Sequence, residues 1–552
     1  MFDVQAIESL FSLLVPLFFG AGAVATGLAT NQSNLLARSL TFKLAFLSAL
    51  AAAIGSWWWP VDGVWFSHAP LASIMLLLIT LLGMVLGRFS ERYLAGDPGQ
   101  RRFMIWLQVI LASVAMIAIT NHLLVFLVSW IAISVSLHQL LMFFPDRPRA
   151  ALAAHKKFIF ARIAELCLAL AFLLLYVQYD TPFIDRILVQ VSGATEVPAG
   201  AQIAAVLMAV AALLKCAQMP FHGWLIQVVE SPTPVSALLH AGVVNLGGFL
   251  MILMAPLISE VSAAQWLLLA VAGPTAVFAS LVIMTRISTK LRLARPTCPP
   301  AGWMLVECAL GLYELALLHL VAHSAYKAHT FLNAGNTVEL SMKKRLVAIN
   351  QPGPKQWLAA AAVAGLFMLP TIFLSSEAGT AHMFSWIVPG IALTILLSEF
   401  LSAGGGVLTV ARGLVIGAAF WALYWLQNTF FGLLLAPPVR QASLLEVCFV
   451  AALIAILVRG YYQIRYHRFS PAGASLYRVL FPAGFTSGWS TRLILHIFPA
   501  NPPHVVRPRA QVRLCSTAGF PQSAYCYPVD LIPPPRHPHR TTLDMRLFPD
   551  AR

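Results

Sequence analysis

Five side chains that water would ordinarily hold stand inside otherwise apolar stretches of this chain. Lys215 sits in Ala211-Ala212-Leu213-Leu214-Lys215-Cys216-Ala217, little more than a turn before Pro220. His240 follows the helix start Ser231-Pro232-Thr233-Pro234, and His319, His323 and Lys327 recur every four positions. That spacing puts the last three on one helix face. Imidazole donates and accepts a proton near neutral pH, and a lysine in apolar surroundings gives its proton up more readily than one in water. The chemistry open to such a set is stepwise proton or cation transfer. A metal site is the rival use of His319 and His323, because His-x3-His can hold zinc. No Glu follows the first His, however, and Lys327 would repel the ion.

Simpler readings compete for single members of the set. A lysine can snorkel to the membrane interface, although Lys215 stands close to the Pro220 break, and a lone histidine such as His240 can be satisfied by one backbone carbonyl. Candidate tuning groups lie nearby. Lys157 opens the sixth apolar span, Arg162 and Glu165 follow at a spacing of three, and Glu230 precedes the proline-rich start. Arg162 and Glu165 either neutralise each other at a helix end or act on Lys215. Glu377 follows Pro370 in the second half of the chain.

The elements that must position these residues follow from composition. The chain has 552 residues, 59% hydrophobic and 10% charged, with a mean hydropathy of +0.79. A soluble domain carries about 25% charged residues. An all-α polytopic membrane protein is expected, with about fourteen spans of roughly 20 residues. A transmembrane β-barrel would need alternation, whereas runs such as Leu71 to Leu86 are apolar throughout. Charging a lipid-facing position with Lys costs about 2.5 kcal/mol or more, so the polar set must face the interior. The seven cysteines show no C-x-x-C spacing, and no metal site or cofactor is expected in this chain.

The net charge of +15 would suggest nucleic acid in a soluble protein, but here its placement matters more. Basic residues gather near Arg38, Arg88 to Arg102, Arg147 to Lys157, Arg286 to Arg295, Lys343 to Lys355 and Arg459 to Arg468. The loops between them are poor in Lys and Arg. That alternation predicts a multi-pass protein of the bacterial inner membrane with its N-terminus outside and its tail cytoplasmic. The first apolar run follows Asp3 and Glu8 rather than a basic segment, which argues against a cleavable signal.

Two spans carry proline in a polar neighbourhood, one at Pro220 and one at Pro370. Both are expected to be broken helices, tolerated at membrane depth only inside protein or beside a cavity. Their spacing fits two five-helix units of inverted topology. The expected organisation is N-terminal spans over 1–100, a first repeat over 101–256, a second over 257–405, C-terminal spans over 406–465 and a basic, proline-rich tail over 466–552.

Leu214-Lys215-Cys216-Ala217-Gln218-Met219-Pro220-Phe221-His222-Gly223-Trp224-Leu225, followed by Ser231-Pro232-Thr233-Pro234-Val235-Ser236-Ala237-Leu238-Leu239-His240-Ala241, resembles the signature of the antiporter-like membrane subunits. These are the proton-pumping subunits of respiratory complex I and of multisubunit cation/proton antiporters. The resemblance runs from about residue 100 to 440 and implies that Lys215, His240, His319, His323 and Lys327 match the family's central proton path.

The departures narrow the resemblance. Complex I subunits have Trp-Glu where this chain has Trp130-Ile131, so the usual carboxylate partner of the lysine is missing. They have Ser-Lys-Asp where this chain has Ser375-Ser376-Glu377, so the exit lysine is missing while an acid remains. Three prolines, Pro296, Pro299 and Pro300, stand where the family usually reads Ala-Tyr-Ser-Thr. With Glu307-Cys308-Ala309-Leu310-Gly311-Leu312 leading into the histidine stripe, the chain most resembles the DabB-type membrane subunits of two-component inorganic carbon transporters. That resemblance implies a cation-conducting subunit, with the proton as first choice of ion and the sodium ion as the alternative. Its gradient would energise a large carbonic-anhydrase-like, DabA-type partner that holds zinc, so that catalysis belongs to the partner and this chain is not an enzyme. The competing expectation is a proton-pumping or antiport subunit of a complex I-like, hydrogenase-like or multisubunit antiporter complex.

Overall fold

The computed structural model describes residues 4–28, 35–58, 66, 70–145, 147–228, 231–285, 297–336, 352–374, 382–402, 406–435, 440, 442–467, 469–480 and 491. In chain order the helices are α1 (Val4–Leu28), α2 (Leu35–Trp58), α3 (Pro70–Tyr93), α4 (Gln100–Ile119), α5 (Leu123–Leu141), α6 (Pro148–Tyr179) and α7 (Ile184–Gly193). Then come α8 (Ala199–Lys215), α9 (Gly223–Gln227), α10 (Thr233–Ala241), α11 (Leu246–Leu253), α12 (Ala255–Glu260), α13 (Ser262–Met284), α14 (Cys298–Ala309) and α15 (Tyr313–Leu332). The last are α16 (Pro354–Leu374), α17 (His382–Ser402), α18 (Gly406–Leu435), α19 (Leu444–Tyr466) and α20 (Pro471–Leu480). No strand occurs among the described residues, which hold just the isolated bridges Phe66–Thr120 and His122–Phe183.

Eleven helical segments among the described residues are long and apolar enough to cross a membrane. The all-α polytopic expectation stands, while length and apolarity alone do not recover fourteen spans. α8 has 17 residues because the chain breaks after Lys215, and α15 is diluted by its His and Lys side chains. Leu166, Leu170, Leu173 and Val177 stand exposed at helical spacing along one face of α6. Such a stripe suits hydrocarbon rather than water. The described residues all fall within one compact unit, residues 1–500; residues 501–552 lie outside the described residues.

The break expected at Pro220 is present. Ala217 takes a positive φ of 51°, and Met219-Pro220 is a cis peptide. Polar side chains take up the backbone groups that the break frees: Gln218 donates to the Cys216 carbonyl at 2.8 Å, and the Met219 N–H donates to Thr275 Oγ1 at 3.2 Å. The expected break at Pro370 is corrected. α16 runs through Pro370 to Leu374, with Thr371 Oγ1 donating back to the Met368 carbonyl at 2.7 Å. A proline removes one N–H, a loss that a membrane helix absorbs where its surroundings re-satisfy the freed carbonyl.

A break that the prolines did not announce lies at Gly242. There α10 ends, a 3₁₀ turn spans Val243–Asn245, and α11 begins. α11 is pressed between α8 and α14 by its paired glycines. A methyl group on Gly247 would come within 2.6 Å of Cys216 Sγ and 2.7 Å of the Ala212 carbonyl oxygen, while one on Gly248 would run into Met304. Small residues allow this approach where no hydrophobic effect drives helices together. Gly247→Ala is expected to destabilise the bundle by about 1–3 kcal/mol, since a backbone oxygen cannot swing aside. A detergent-solubilised variant melting at the wild-type temperature would contradict this packing.

The proline cluster before α14 also has a structural use. Pro299 and Pro300 fall in the first turn of α14, where a missing N–H costs nothing. At the other end, Gly311 has a φ of +81° and lets the chain turn directly into α15. Arg440 closes this corner, donating to the Ala309 carbonyl at 2.5 Å and to Gln265 Oε1 at 2.6 Å, and pairing with buried Glu446 at 2.7 Å. A cation at a helix C-terminus opposes the partial negative charge there. Inside the stretch read as tail, α20 docks on the bundle, with Tyr477 Oη donating to the Thr285 carbonyl at 3.2 Å.

Candidate functional site

The first cluster gathers around Lys215 at the C-terminal end of α8. Lys215 is buried, and its Nζ lies 4.2 Å from the centroid of the Trp130 ring on α5. The ammonium therefore rests on a π face. Lys215 Nζ has no hydrogen-bond partner among the described residues. α6 supplies the charges around it. Lys157 is buried and donates to the Ser134 carbonyl at 2.8 Å. Arg162 and Glu165 pair at 2.8 Å, and the charges of both reach Lys215. The Arg162–Glu165 pair is thus intrahelical, as its spacing predicts, and also lies within electrostatic range of the lysine.

Trp130, Ser134, Lys157, Lys215, Val243 and Val244 line a cavity of about 20 Å³. That is room for a single water molecule. The cavity joins the lysine to the broken segment after His240, and Cys216 Sγ donates to the Val244 carbonyl at 3.2 Å across the same interval. The two irregular stretches, one after Lys215 and one after His240, therefore touch in the interior.

The second cluster lies between α10, α11 and α15. His240 is fully buried and stacks on Phe331, with ring centroids 4.7 Å apart and planes inclined by 7°. Neither ring nitrogen has a hydrogen-bond partner among the described residues. Lys327, one helical turn before Phe331 on α15, is buried and its charge reaches His240. His323 follows one turn back along the same face. Its Nδ1 faces the Asn245 amide at 3.4 Å, and Asn245 also donates to Ser324 Oγ at 3.0 Å. His319 stands a further turn back, with its ring centroid 6.3 Å from that of His323 and its Nδ1 at 3.0 Å from Glu307 Oε1 on α14.

The structure thus brings His240, His319, His323 and Lys327 into one row and Lys157, Arg162, Glu165 and Lys215 into another, and the cavity beside the second row is lined by Val243 and Val244, three and four residues after His240. Pro220 bounds the break that ends the Lys215 helix, whereas Pro370 bounds none. Glu230 and Glu377 lie outside the described residues. Sequence reasoning missed four participants. Trp130 as a platform and Asn245 as a bridge carry no spacing signal, because each acts across helices; Phe331 continues the four-residue period of the stripe, but its stacking on His240 of another helix does not follow from that period. Glu307 stands twelve residues before its partner His319, but only the tight turn at Gly311 makes that interval a contact. No group of three or more His, Cys, Asp or Glu side chains converges among the described residues.

The arrangement is a buried series of lysine, histidine and glutamate side chains that can each hold or release a proton. Residues 120–352 match the family model described as NADH:quinone oxidoreductase/Mrp antiporter, TM. Over 92% of its length the chain is 42% identical to a protein of Hydrogenovibrio crunogenus, covering 98% of that relative, described as "Probable inorganic carbon transporter subunit DabB". Among solved structures, a chain of the Mrp complex from Dietzia sp. aligns with a TM-score of 0.53 and 22% identity, over 88% of this chain and 55% of that one. The membrane-bound sulfane sulfur reductase, an archaeal respiratory membrane complex, contains a chain that aligns with a TM-score of 0.54 and 16% identity, over 89% of this chain and 99% of that one. These two likenesses concern the fold.

Proposed function

We propose a function from a family membership: the chain belongs to the antiporter-like membrane subunits, and within them to the DabB subunits of inorganic carbon transporters. On this reading it conducts a cation, the proton first, down its gradient through the bacterial inner membrane. That flow energises accumulation of CO2 or bicarbonate by a large DabA-type partner that carries the zinc and the carbonic-anhydrase-like chemistry. This chain itself contributes the path and holds no metal or cofactor. Its basic loops lie in the cytoplasm and its N-terminus outside.

The observation that supports the reading is the burial of two rows of titratable side chains on either side of one broken segment. Lys157 and Lys215 border the cavity lined by Val243 and Val244, the residues that follow Gly242 at the break after His240, and the charges of Lys327 and His240 and of His319 reach His323 along the second row. A charge in such surroundings costs several kcal/mol unless it serves a path or a partner, and these two rows have no packing purpose that leucine would not serve better. Lys215 rests on Trp130 rather than in a direct lysine–carboxylate contact, while the charge of Glu165 reaches it. That arrangement suits passive gradient coupling more than a pumping stroke that must make and break a strong pair.

The test is uptake of labelled inorganic carbon in carbonic-anhydrase-deficient cells expressing this chain with its adjacent large gene. Uptake is expected, and an uncoupler is expected to collapse it. Uptake that survives the uncoupler would refute gradient coupling. Absence of uptake in well-expressed protein would favour the second reading, a pump or antiport subunit of a complex I-like assembly, for which the match of 120–352 to the complex I and Mrp model speaks.

A further inference from the structure

We propose that Glu307 and His319 form the port at which the buried proton row exchanges protons with a neighbouring cavity. The inference rests on the reading above that the row carries protons. A cavity of about 490 Å³ lies between α14, α15, α17, α18 and α19, and Glu307, His319, Tyr424 and Gln427 are among its polar lining. Elsewhere its wall is mainly apolar, with Trp303 and Ala322 among the lining side chains. His323 and Lys327 do not line it. The Glu307–His319 pair is therefore the member of the row with one side toward this space.

The pair's own geometry supports the role. Glu307 stands in the last turn of α14, where the helix end carries partial negative charge and a carboxylate gains nothing from it. Its two oxygens lie 3.0 and 3.1 Å from His319 Nδ1. The side chains are 15% and 25% exposed, so neither is sealed from the space beside it. With Nδ1 committed to Glu307, Nε2 is the His319 nitrogen left for transfer along the stripe. On His323 it is again Nε2 that lacks a protein partner among the described residues, since Nδ1 faces Asn245. Ring centroids 6.3 Å apart suit transfer through one intervening water or a small ring rotation. In the step itself, a proton arriving from the cavity is taken by the Glu307–His319 pair. A proton then leaves His319 Nε2 for His323 and returns the pair to its starting charge; no bond other than those to hydrogen changes and no electron is transferred.

The test uses membrane vesicles from cells expressing the full chain with its adjacent large gene, and reads proton flux under an imposed pH gradient. Glu307→Gln keeps the size and an acceptor for His319 but cannot ionise. Its flux is expected to fall at least about tenfold, with Glu307→Asp recovering a substantial part. Wild-type flux in Glu307→Gln beside a dead Lys327→Ala would overturn the port and leave the row standing. Equal flux in wild type and Lys327→Ala would remove the row, and the port with it.

Access is measured separately, because it depends on neither flux nor the folding of a Glu307 variant. Ala322→Cys is treated with a small charged thiosulfonate, and labelling is compared with that of the parent chain. Labelling beyond the parent shows a wet cavity next to His319. A cysteine that ignores the charged reagent but reacts with a lipophilic maleimide marks a space filled by acyl chain, which overturns the proposal.

Discussion

Lys215→Arg is expected to be almost as inactive as Lys215→Ala, with gradient-coupled uptake reduced by about a hundredfold or more in each, while both insert normally. The reasoning separates two jobs that a buried lysine can hold. A fixed positive charge resting on Trp130 and facing Glu165 would be kept by arginine, whose guanidinium also stacks well on an aromatic ring. A group that must release its proton and take it back cannot be replaced so, because a guanidinium does not deprotonate in proteins. Alanine removes both jobs and leaves a void beside the 20 Å³ cavity. Uptake, vesicle flux and membrane content measured together decide the matter. An arginine variant that conducts like wild type would reduce Lys215 to a structural charge.

His323→Ala is expected to interrupt transfer between His319 and Lys327, again by about a hundredfold, because no other titratable side chain on that face of α15 lies between them. The variant also strips Asn245 of one partner. Asn245 keeps its bonds to Ser324 Oγ at 3.0 Å and to the Ala241 carbonyl at 3.3 Å, so the contact between α11 and α15 should survive. His323→Gln provides the control. It restores a polar contact for the Asn245 amide and should restore stability without restoring flux, since an amide does not titrate at working pH. Recovery of flux in His323→Gln would show that the position serves packing alone.

Side-chain type and spacing made the two ends of this picture legible. Runs of apolar residues can be satisfied only by lipid and by other helices, so composition determined an all-α membrane protein before any contact was known. The four-residue period of His319, His323 and Lys327 determined a shared face, because a helix offers no other geometry for that interval. The Lys215 motif and its proline determined one broken helix correctly. The same logic failed at Pro370, where α16 runs on: the sequence contains the proline, but not the packing that decides whether a helix yields to it.

The tertiary structure decided what surrounds each of these groups. Trp130 rather than an acid meets Lys215; Asn245 bridges α11 to the stripe; Phe331 covers His240; and the Gly311 corner brings Glu307 onto His319. Each of these contacts joins side chains on different helices. No local propensity encodes them, since they depend on which helix faces meet, how closely small residues such as Gly247 let them approach, and where Gly242 and Gly311 turn the chain. A sequence read alone identifies groups that can carry a proton; only the packed bundle sets their order and the side on which the row meets open space.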